Sequence, residues 1–284
     1  MTCTLPEQSV INAMVRDALI EDIGGGDVTA SLLPKTQAAS ATVISREAGV
    51  LCGTPWFNRV FAQIDPTITI TWQARDGDSL APQQPLCELR GPTRGLLTGE
   101  RVALNFLQTL SGTATLTREY AAAIAGSTAT LLDTRKTIPL WRQAQKYAVC
   151  CGGGMNHRLG LYDMILIKEN HIASAGSISR ALALAQHISP SLEVEVEVET
   201  LDQLQEALHA GATRILLDNM NISTLRTAVQ HTNRRALLEA SGNVSLANIR
   251  AIADTGVDFI SVGSLTKHVR ALDLSMRVQT VADR

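Results

Sequence analysis

No apolar run in this chain approaches the roughly 18 residues that a membrane-spanning helix needs. The first residues, MTCTLPEQSVINAMVRDALIED, hold no basic stretch followed by an apolar one, so they do not read as a secretory signal. An excess of one charge is also lacking. The chain has 25 Lys and Arg against 27 Asp and Glu, and its net charge of −2 gives no basic field that would point to nucleic acid. There are five cysteines, Cys3, Cys52, Cys87, Cys150 and Cys151, an odd number with no Cys-x-x-Cys pair. That argues against a disulfide framework or a zinc site and predicts reduced thiols in a cytoplasmic protein. Two glycine runs, GGGDVTA and CCGGGMNHR, lack the Gly-Lys-Ser/Thr of a P-loop and read as turns.

What is present is a globular balance, 45% hydrophobic and 18% charged over 284 residues, enough for one large domain or two ordinary ones. Residues 1–127 read as an N-terminal α+β sandwich domain. EQSVINAMVRDALIEDIG predicts an opening helix with Val10, Met14 and Leu19 among its apolar positions. Short strands follow, broken by Gly, Pro and Asp turns. TRGLLTGERVALNFLQTLSG predicts a helix whose Ala103, Phe106, Leu107 and Leu110 make one apolar stripe, with Arg101, Asn105 and Gln108 on another face. TATLTREYAAAIAG predicts a second helix.

Over residues 128–268 short apolar strands alternate with helices at intervals of about 20–35 residues, the rhythm of βαβ units around a parallel sheet. The strands fall in TATLLDTRKT, DMILIKENH, SLEVEVEVE, TRILLDN, RRALLEASGN and VDFISVGS. Six units fit an incomplete (six- or seven-stranded) α/β barrel; an open doubly wound sheet is the alternative. The first helix of this region is expected from Pro139 to Cys151, with Lys146 and Arg142 on a solvated face and Cys150 and Cys151 buried at its end. Thr200 and Gln203 form a candidate capping box, and Gly211 a helix stop. Residues 269–284 read as a C-terminal helix packing on the N-terminal domain.

The chemistry gathers after the strands. The first ends in Asp133, Thr134, Arg135 and Lys136, the second in Lys168, Glu169, Asn170 and His171, the third in Glu197 and Glu199. The fourth ends in Asp218 and Asn219, the fifth in Ser241, Gly242 and Asn243, the sixth in Gly263 and Ser264. In an α/β barrel these ends meet at one rim, where active sites sit. Strands one and two supply cations, joined by His157 and Arg158 from the intervening loop, whereas His171, His209 and His231 read as structural or surface residues. Strands three and four supply carboxylates able to hold Mg²⁺ or ribose hydroxyls. Strands five and six supply small residues through which backbone N–H groups can reach a phosphate. A polyanion such as a sugar pyrophosphate fits that sorting.

SLEVEVEVET alternates Glu193, Glu195, Glu197 and Glu199 with valines, so one face of a strand is acidic. As a barrel strand it would turn its valines to the helices and its glutamates inward. Glu197 at the rim would meet ribose or Mg²⁺. Glu195, one layer deeper, would need a buried partner, Lys136 or Lys168.

DTRKTIPLWRQAQKYAVCCGGGMNHRLGLYDMILIKENH, then EVEVE, LLDNM, ASGN and SVGSLT, in this order, resemble the quinolinate phosphoribosyltransferase family, also called carboxylating nicotinate-nucleotide pyrophosphorylases. The resemblance runs nearly end to end and includes EDIGGGDVT and GERVALNFLQTLSG. It implies a pentosyltransferase that makes nicotinate mononucleotide, pyrophosphate and CO₂ from quinolinate and phosphoribosyl pyrophosphate with Mg²⁺, in de novo NAD synthesis. It also implies a homodimer. The family's quinolinate contacts fall on Arg135, His157, Arg158 and Lys168, with Arg101 donated by the partner subunit. Its phosphoribosyl and metal contacts fall on Lys136, Glu197 and Asp218, and its phosphate loops on Ser241, Gly242, Asn243, Gly263 and Ser264. Family members often carry a second glycine where Asn243 stands. Three rivals are a paralogue with another substrate, a Schiff-base aldolase using Lys168 or Lys136, and a silent phosphate-binding barrel.

Overall fold

The structure, a computed structural model, describes residues 4–280. In chain order the first elements are α1 (Gln8–Ile23), β1 (Ala38–Ser45), β2 (Gly49–Val50), α2 (Thr54–Ile64), β3 (Thr69–Trp72), β4 (Ser79–Leu80), β5 (Pro85–Pro92) and α3 (Thr93–Ala123). There follow β6 (Thr130–Leu132), α4 (Arg142–Gly152), β7 (Ile165–Ile167), α5 (Glu169–Ala175), α6 (Ile178–Ile188) and β8 (Val194–Val198). The last are α7 (Leu201–His209), β9 (Arg214–Asp218), α8 (Ile222–Thr232), β10 (Leu237–Ser241), α9 (Ile249–Ala253), β11 (Phe259–Ser261), α10 (Ser264–Lys267) and β12 (Leu274–Thr280). Two compact units form. One holds the chain up to Arg118, Gln143–Gly153, and the chain from His268; the other holds Glu119–Arg142 and Gly154–Lys267.

The first unit is built on an antiparallel sheet of order β12-β1-β5-β3. Its last strand corrects the helix expected over 269–284. Leu274 and Met276 are buried while Arg277 and Gln279 are exposed, the period of two that a strand requires. β12 pairs with β1, Met276 opposite Val43 and Val278 opposite Ala41. Residues 281–284 lie outside the described chain. In α1 the buried line is Ile11, Val15 and Leu19, so Leu19 is in the core but Val10 and Met14 flank it. Sequence reasoning missed α2, a short helix whose Trp56, Phe57, Val60 and Phe61 are fully buried. Its start is fixed by Asp76, whose carboxylate accepts the N–H groups of Gly53 and Thr54 at 3.1 Å each.

The two helices expected between residues 93 and 126 are one. α3 runs 31 residues, and Gly112 does not break it. A Cβ on Gly112 would stand 2.0 Å from the carbonyl oxygen of Arg270. The glycine serves a close approach of backbone to helix, not a turn. The stripe of Ala103, Phe106, Leu107 and Leu110 is buried as expected, with Arg101 and Asn105 exposed. α4 starts at Arg142, not Pro139, after a turn in which Leu140 has φ +66°. It packs in the first unit: Tyr147 donates to Asp76 at 3.0 Å, and its ring lies 5.9 Å from that of Trp56. Lys146 is therefore buried rather than solvated, and Cys150 and Cys151 are only half-buried.

The second unit is a parallel sheet of order β6-β11-β10-β9-β8-β7 that does not close between β6 and β7. It is the incomplete barrel in its six-stranded form. Where a seventh strand would add to β6 there is a one-residue parallel bridge, Met155 on Leu132. The strands are apolar where they meet the helices: Val196, Val198, Ile215 and Leu217 are wholly buried. Helix starts are capped by side chains. Ser177 accepts the N–H of Arg180, and Asn221 that of Thr224. Thr200 accepts the N–H of Gln203, but the Gln203 amide oxygen takes the N–H of Glu199, so the capping box closes one residue early. Every strand of this sheet runs the same way, which brings the six predicted strand ends to one rim.

Candidate active site

A cleft of about 540 Å³ opens at that rim. It is lined by Arg135 and Lys136 after β6, His157 and Arg158 from the following loop, Lys168 after β7, Glu197 of β8 and Asp218 of β9. Ser241 at the end of β10 and Gly242 and Asn243 after it are the other predicted residues that line it. Gly263 and Ser264 are not among the lining residues. Gly263 lies beneath Lys136, where a Cβ would come within 3.0 Å of the lysine Cδ, and the Ser264 hydroxyl is 3.3 Å from that of Tyr120. Arg101 is on α3 in the other unit. Glu199 and His171 are exposed, the latter accepting the N–H of Lys168 through Nδ1.

Asp133, wholly buried at the end of β6, organises the cationic side. Its carboxylate accepts the N–H of His157 at 2.9 Å and the side-chain amide of Asn156 at 2.7 Å. This fixes the loop that carries His157 and Arg158. The Arg158 pKa is pressed down by burial and then by the neighbouring Arg135 charge. The Arg135 Nε is buried with no hydrogen-bond partner among the described residues. Two neighbouring guanidinium groups, one with an unused buried donor, could hold an anion. The ammonium of Lys168 is paired with Glu197. Asp218 accepts from the Asn219 amide at 2.6 Å, and its carboxyl is held above the usual range by burial and then by the Glu197 charge.

Below the rim lies a buried ionic cluster that sequence reasoning found only in part. Glu195 is wholly buried, as expected of an inward glutamate, but its partners are neither Lys136 nor Lys168. They are His157, with Nε2 at 2.9 Å, and Arg214, with Nε at 3.1 Å. Glu195 and Arg214 are adjacent in the β8–β9 register, whereas the predicted lysines sit a layer higher at the rim. Arg214 also donates to Glu239 at 2.9 Å and stacks 4.6 Å from the centre of the Phe259 ring. Burial opposes ionisation of Glu195, but His157 and Arg214 outweigh it and keep that pKa low. Arg214 and Glu239 were legible as charged residues inside apolar strands, which need a partner.

Both ring nitrogens of His157 are engaged: Nδ1 accepts the N–H of Arg158 at 2.7 Å while Nε2 faces Glu195. Its side chain is only 7% exposed. The imidazole is thus built into the floor of the cleft more than the sequence expectation of a substrate contact required.

The loops after β9 and β10 turn through left-handed backbone. Asn219 and Asn243 both have positive φ, at +54° and +51°, and Gly242 has φ +93°. A Cβ on Gly242 would fall 2.1 Å from the Asn219 amide oxygen. Asn243 occupies a left-handed position, which glycine takes easily and asparagine tolerates.

The sequence matches the description "Quinolinate phosphoribosyl transferase, N-terminal domain" over residues 27–111 and "Quinolinate phosphoribosyl transferase, C-terminal domain" over residues 113–277. It is 43% identical to a probable nicotinate-nucleotide pyrophosphorylase [carboxylating] of Synechocystis, over 98% of this chain and 95% of that protein. A Bacillus subtilis protein of the same description is 40% identical over 94% of this chain and 93% of its own length. The solved nicotinate-nucleotide pyrophosphorylase of Francisella tularensis superposes with a TM-score of 0.96 at 46% identity, covering 98% of this chain and 99% of that one. The chain belongs to the quinolinate phosphoribosyl transferase family.

Proposed function

We propose that this chain transfers the phosphoribosyl group of phosphoribosyl pyrophosphate to quinolinate and decarboxylates the product, giving nicotinate mononucleotide, pyrophosphate and CO₂. The observation that carries the reading is the cleft itself, lined both by the neighbouring cations Arg135 and Arg158 and by the neighbouring carboxylates Glu197 and Asp218. Quinolinate is a dianion, and guanidinium forks match its carboxylates. Each charge-assisted bond contributes roughly 1.5–3 kcal/mol. Arg135, Arg158 and Lys168 hold the acid with its ring nitrogen toward the anomeric carbon. Lys136 neutralises the charge that grows on the departing pyrophosphate. Glu197 and Asp218 orient the ribose. The C–O bond to pyrophosphate breaks as the C–N bond forms. The cationic ring then releases the 2-carboxylate as CO₂, because the positive nitrogen stabilises the carbanion left at that carbon, which takes up a proton.

Mg²⁺ fits the two carboxylates, which are oxygen donors on adjacent strands and repel each other. Bound there with the pyrophosphate, it would supply further charge neutralisation. The reading extends to a cytoplasmic homodimer in which Arg101 completes the partner's quinolinate site. The interface part is supported by the exposure of Arg101. No helix among the described residues is long and apolar enough to cross a membrane.

The test is release of ¹⁴CO₂ from the labelled 2-carboxylate of quinolinate in the presence of phosphoribosyl pyrophosphate and Mg²⁺. No release, with or without metal, overturns the reading. For the interface, Arg101→Ala and Lys168→Ala chains should each be inactive and should regain partial activity when subunits are exchanged between them. Confirmed exchange without rescue removes the borrowed arginine.

A further inference from the structure

The floor of the cleft holds more ionisable groups than one cation can balance. Glu195 and Glu239 are wholly buried, and among the described residues the one guanidinium or ammonium paired with them is Arg214, itself 8% exposed. His157 Nε2 stands between the two acids, 2.9 Å from Glu195 and 3.5 Å from Glu239. With both acids ionised, Arg214 charged and the imidazole neutral, the cluster carries one uncompensated negative charge. One further proton makes it neutral, either on Glu239 or on His157, where it would displace the N–H that Nδ1 accepts from Arg158. Buried uncompensated charge is costly, so the neutral form is the stable one over a wide range. Glu239 accepts from Arg214 through Oε2, and Ser261 is its other polar neighbour, so the ionised carboxyl has few donors to hold it.

We infer that Glu239, through His157, is a positioning residue for the anion site: the His157–Glu239 pair keeps one proton beneath the cleft, and loss of that proton weakens binding of the dicarboxylate above it. The inference rests on the proposed function for its ligand. Charged groups face the pair from several elements, and the exposed Glu193, just before β8, shares Arg214 at 3.5 Å. Glu195 faces it from β8 and stays ionised, Arg214 faces it from β9, and Ser261 stands beside Glu239 on β11. From β6, Asp133 holds the His157 backbone N–H, and Arg158 follows in the same loop. Burial, and then the charge of Glu195, push the Glu239 carboxyl up to about 7. Burial works against a charged His157, but the Glu195 bond and the Glu239 charge outweigh it and raise its pKa. The pair therefore titrates as a unit near neutrality, with one proton leaving as pH rises. Deprotonation places a negative charge under a site whose guanidinium groups must attract a dianion.

The experiment measures quinolinate affinity by calorimetry from about pH 6 to about pH 9, for wild type and Glu239→Gln. Glutamine is neutral at every pH, so with a neutral imidazole the variant's cluster stays neutral throughout. Wild-type affinity should fall by up to about tenfold per pH unit above pH ~7, and the variant's should stay flat over that range. Superimposable profiles, whatever their absolute level, overturn the inference. A ligand-independent arm follows the ¹⁵N shifts of the His157 ring, assigned with a His157→Asn chain. The ring's titration should move to lower pH in Glu239→Gln, and an unmoved titration also overturns the shared proton. If neither chain binds quinolinate at any pH, the substrate reading has failed, and the ring titration decides the proton.

Discussion

Replacing Arg214 with methionine should cost about 3–5 kcal/mol of folding stability, seen as a fall in the urea midpoint with unchanged slope. The reason is not a lost contact alone. The guanidinium bridges Glu195 and Glu239 from the middle of the buried sheet, and its removal leaves two carboxylates inside with only His157. The sign of the pH dependence follows. Without the cation both acids have folded pKa values above their unfolded ones, since burial favours the neutral form. Such groups contribute stability at low pH and lose it as pH rises through the folded pKa. The variant should therefore lie closest to wild type near pH ~5 and furthest from it near pH ~8. In wild type Glu195 behaves oppositely: its pKa is depressed by His157 and Arg214 against the effect of burial, so its contribution is lost as pH falls. Combining Arg214→Met with Glu195→Gln and Glu239→Gln should recover much of the loss, because the triple change removes the charges together. A deficit in the triple variant equal to that of Arg214→Met would show that packing against Phe259, not charge, sets the cost.

The βαβ rhythm was legible because parallel strands buried on both faces read as short apolar runs, and these did apart from β8, whose valines alternate with glutamates. The rim chemistry was legible for the same reason: each apolar run has a definite end, and Arg135, Lys168, Glu197 and Asp218 stand just past or at it. Less legible were features set by contacts distant in sequence. Ser111-Gly112-Thr113 looks like a helix break, and only the Arg270 carbonyl packed on Gly112 shows why it is not. Leu274 to Val278 carries a strand's period of two, but it was short enough to be absorbed into a helix following Lys267. Lys146 looks solvated in a helix of mixed polarity until α4 is placed against Asp76 and Trp56. The partners of Glu195 were misassigned because depth along a strand was ignored. Lysines at the rim cannot meet a carboxylate in the layer below, whereas Arg214 on the next strand is its register neighbour.

Lys136→Met should lower kcat about 10²–10³-fold, equivalent to about 2.7–4 kcal/mol of transition-state stabilisation, while leaving quinolinate affinity within about threefold of wild type. The lysine is exposed, and its backbone is held independently of its ammonium: the N–H donates to Thr134 Oγ1 at 3.1 Å, and the carbonyl accepts from Thr266 at 2.8 Å. Truncating the charge therefore leaves the loop in place, and stability should change by less than about 0.5 kcal/mol. The ammonium is aimed by packing. Gly263 leaves room for the lysine stem, and a methyl there would press on Cδ. Gly263→Ala should accordingly reproduce part of the kcat loss with the ammonium still present. Arginine at 136 keeps the charge but replaces a compact ammonium with a wider, planar group in the same slot, so it should rescue poorly. Pre-steady-state measurement of pyrophosphate release separates the two roles open to a cation here. A residue that stabilises the leaving group slows that step and leaves quinolinate binding alone. If Lys136→Met instead weakens quinolinate at an unchanged release rate, Lys136 belongs with Arg135 and Arg158 in the dicarboxylate site.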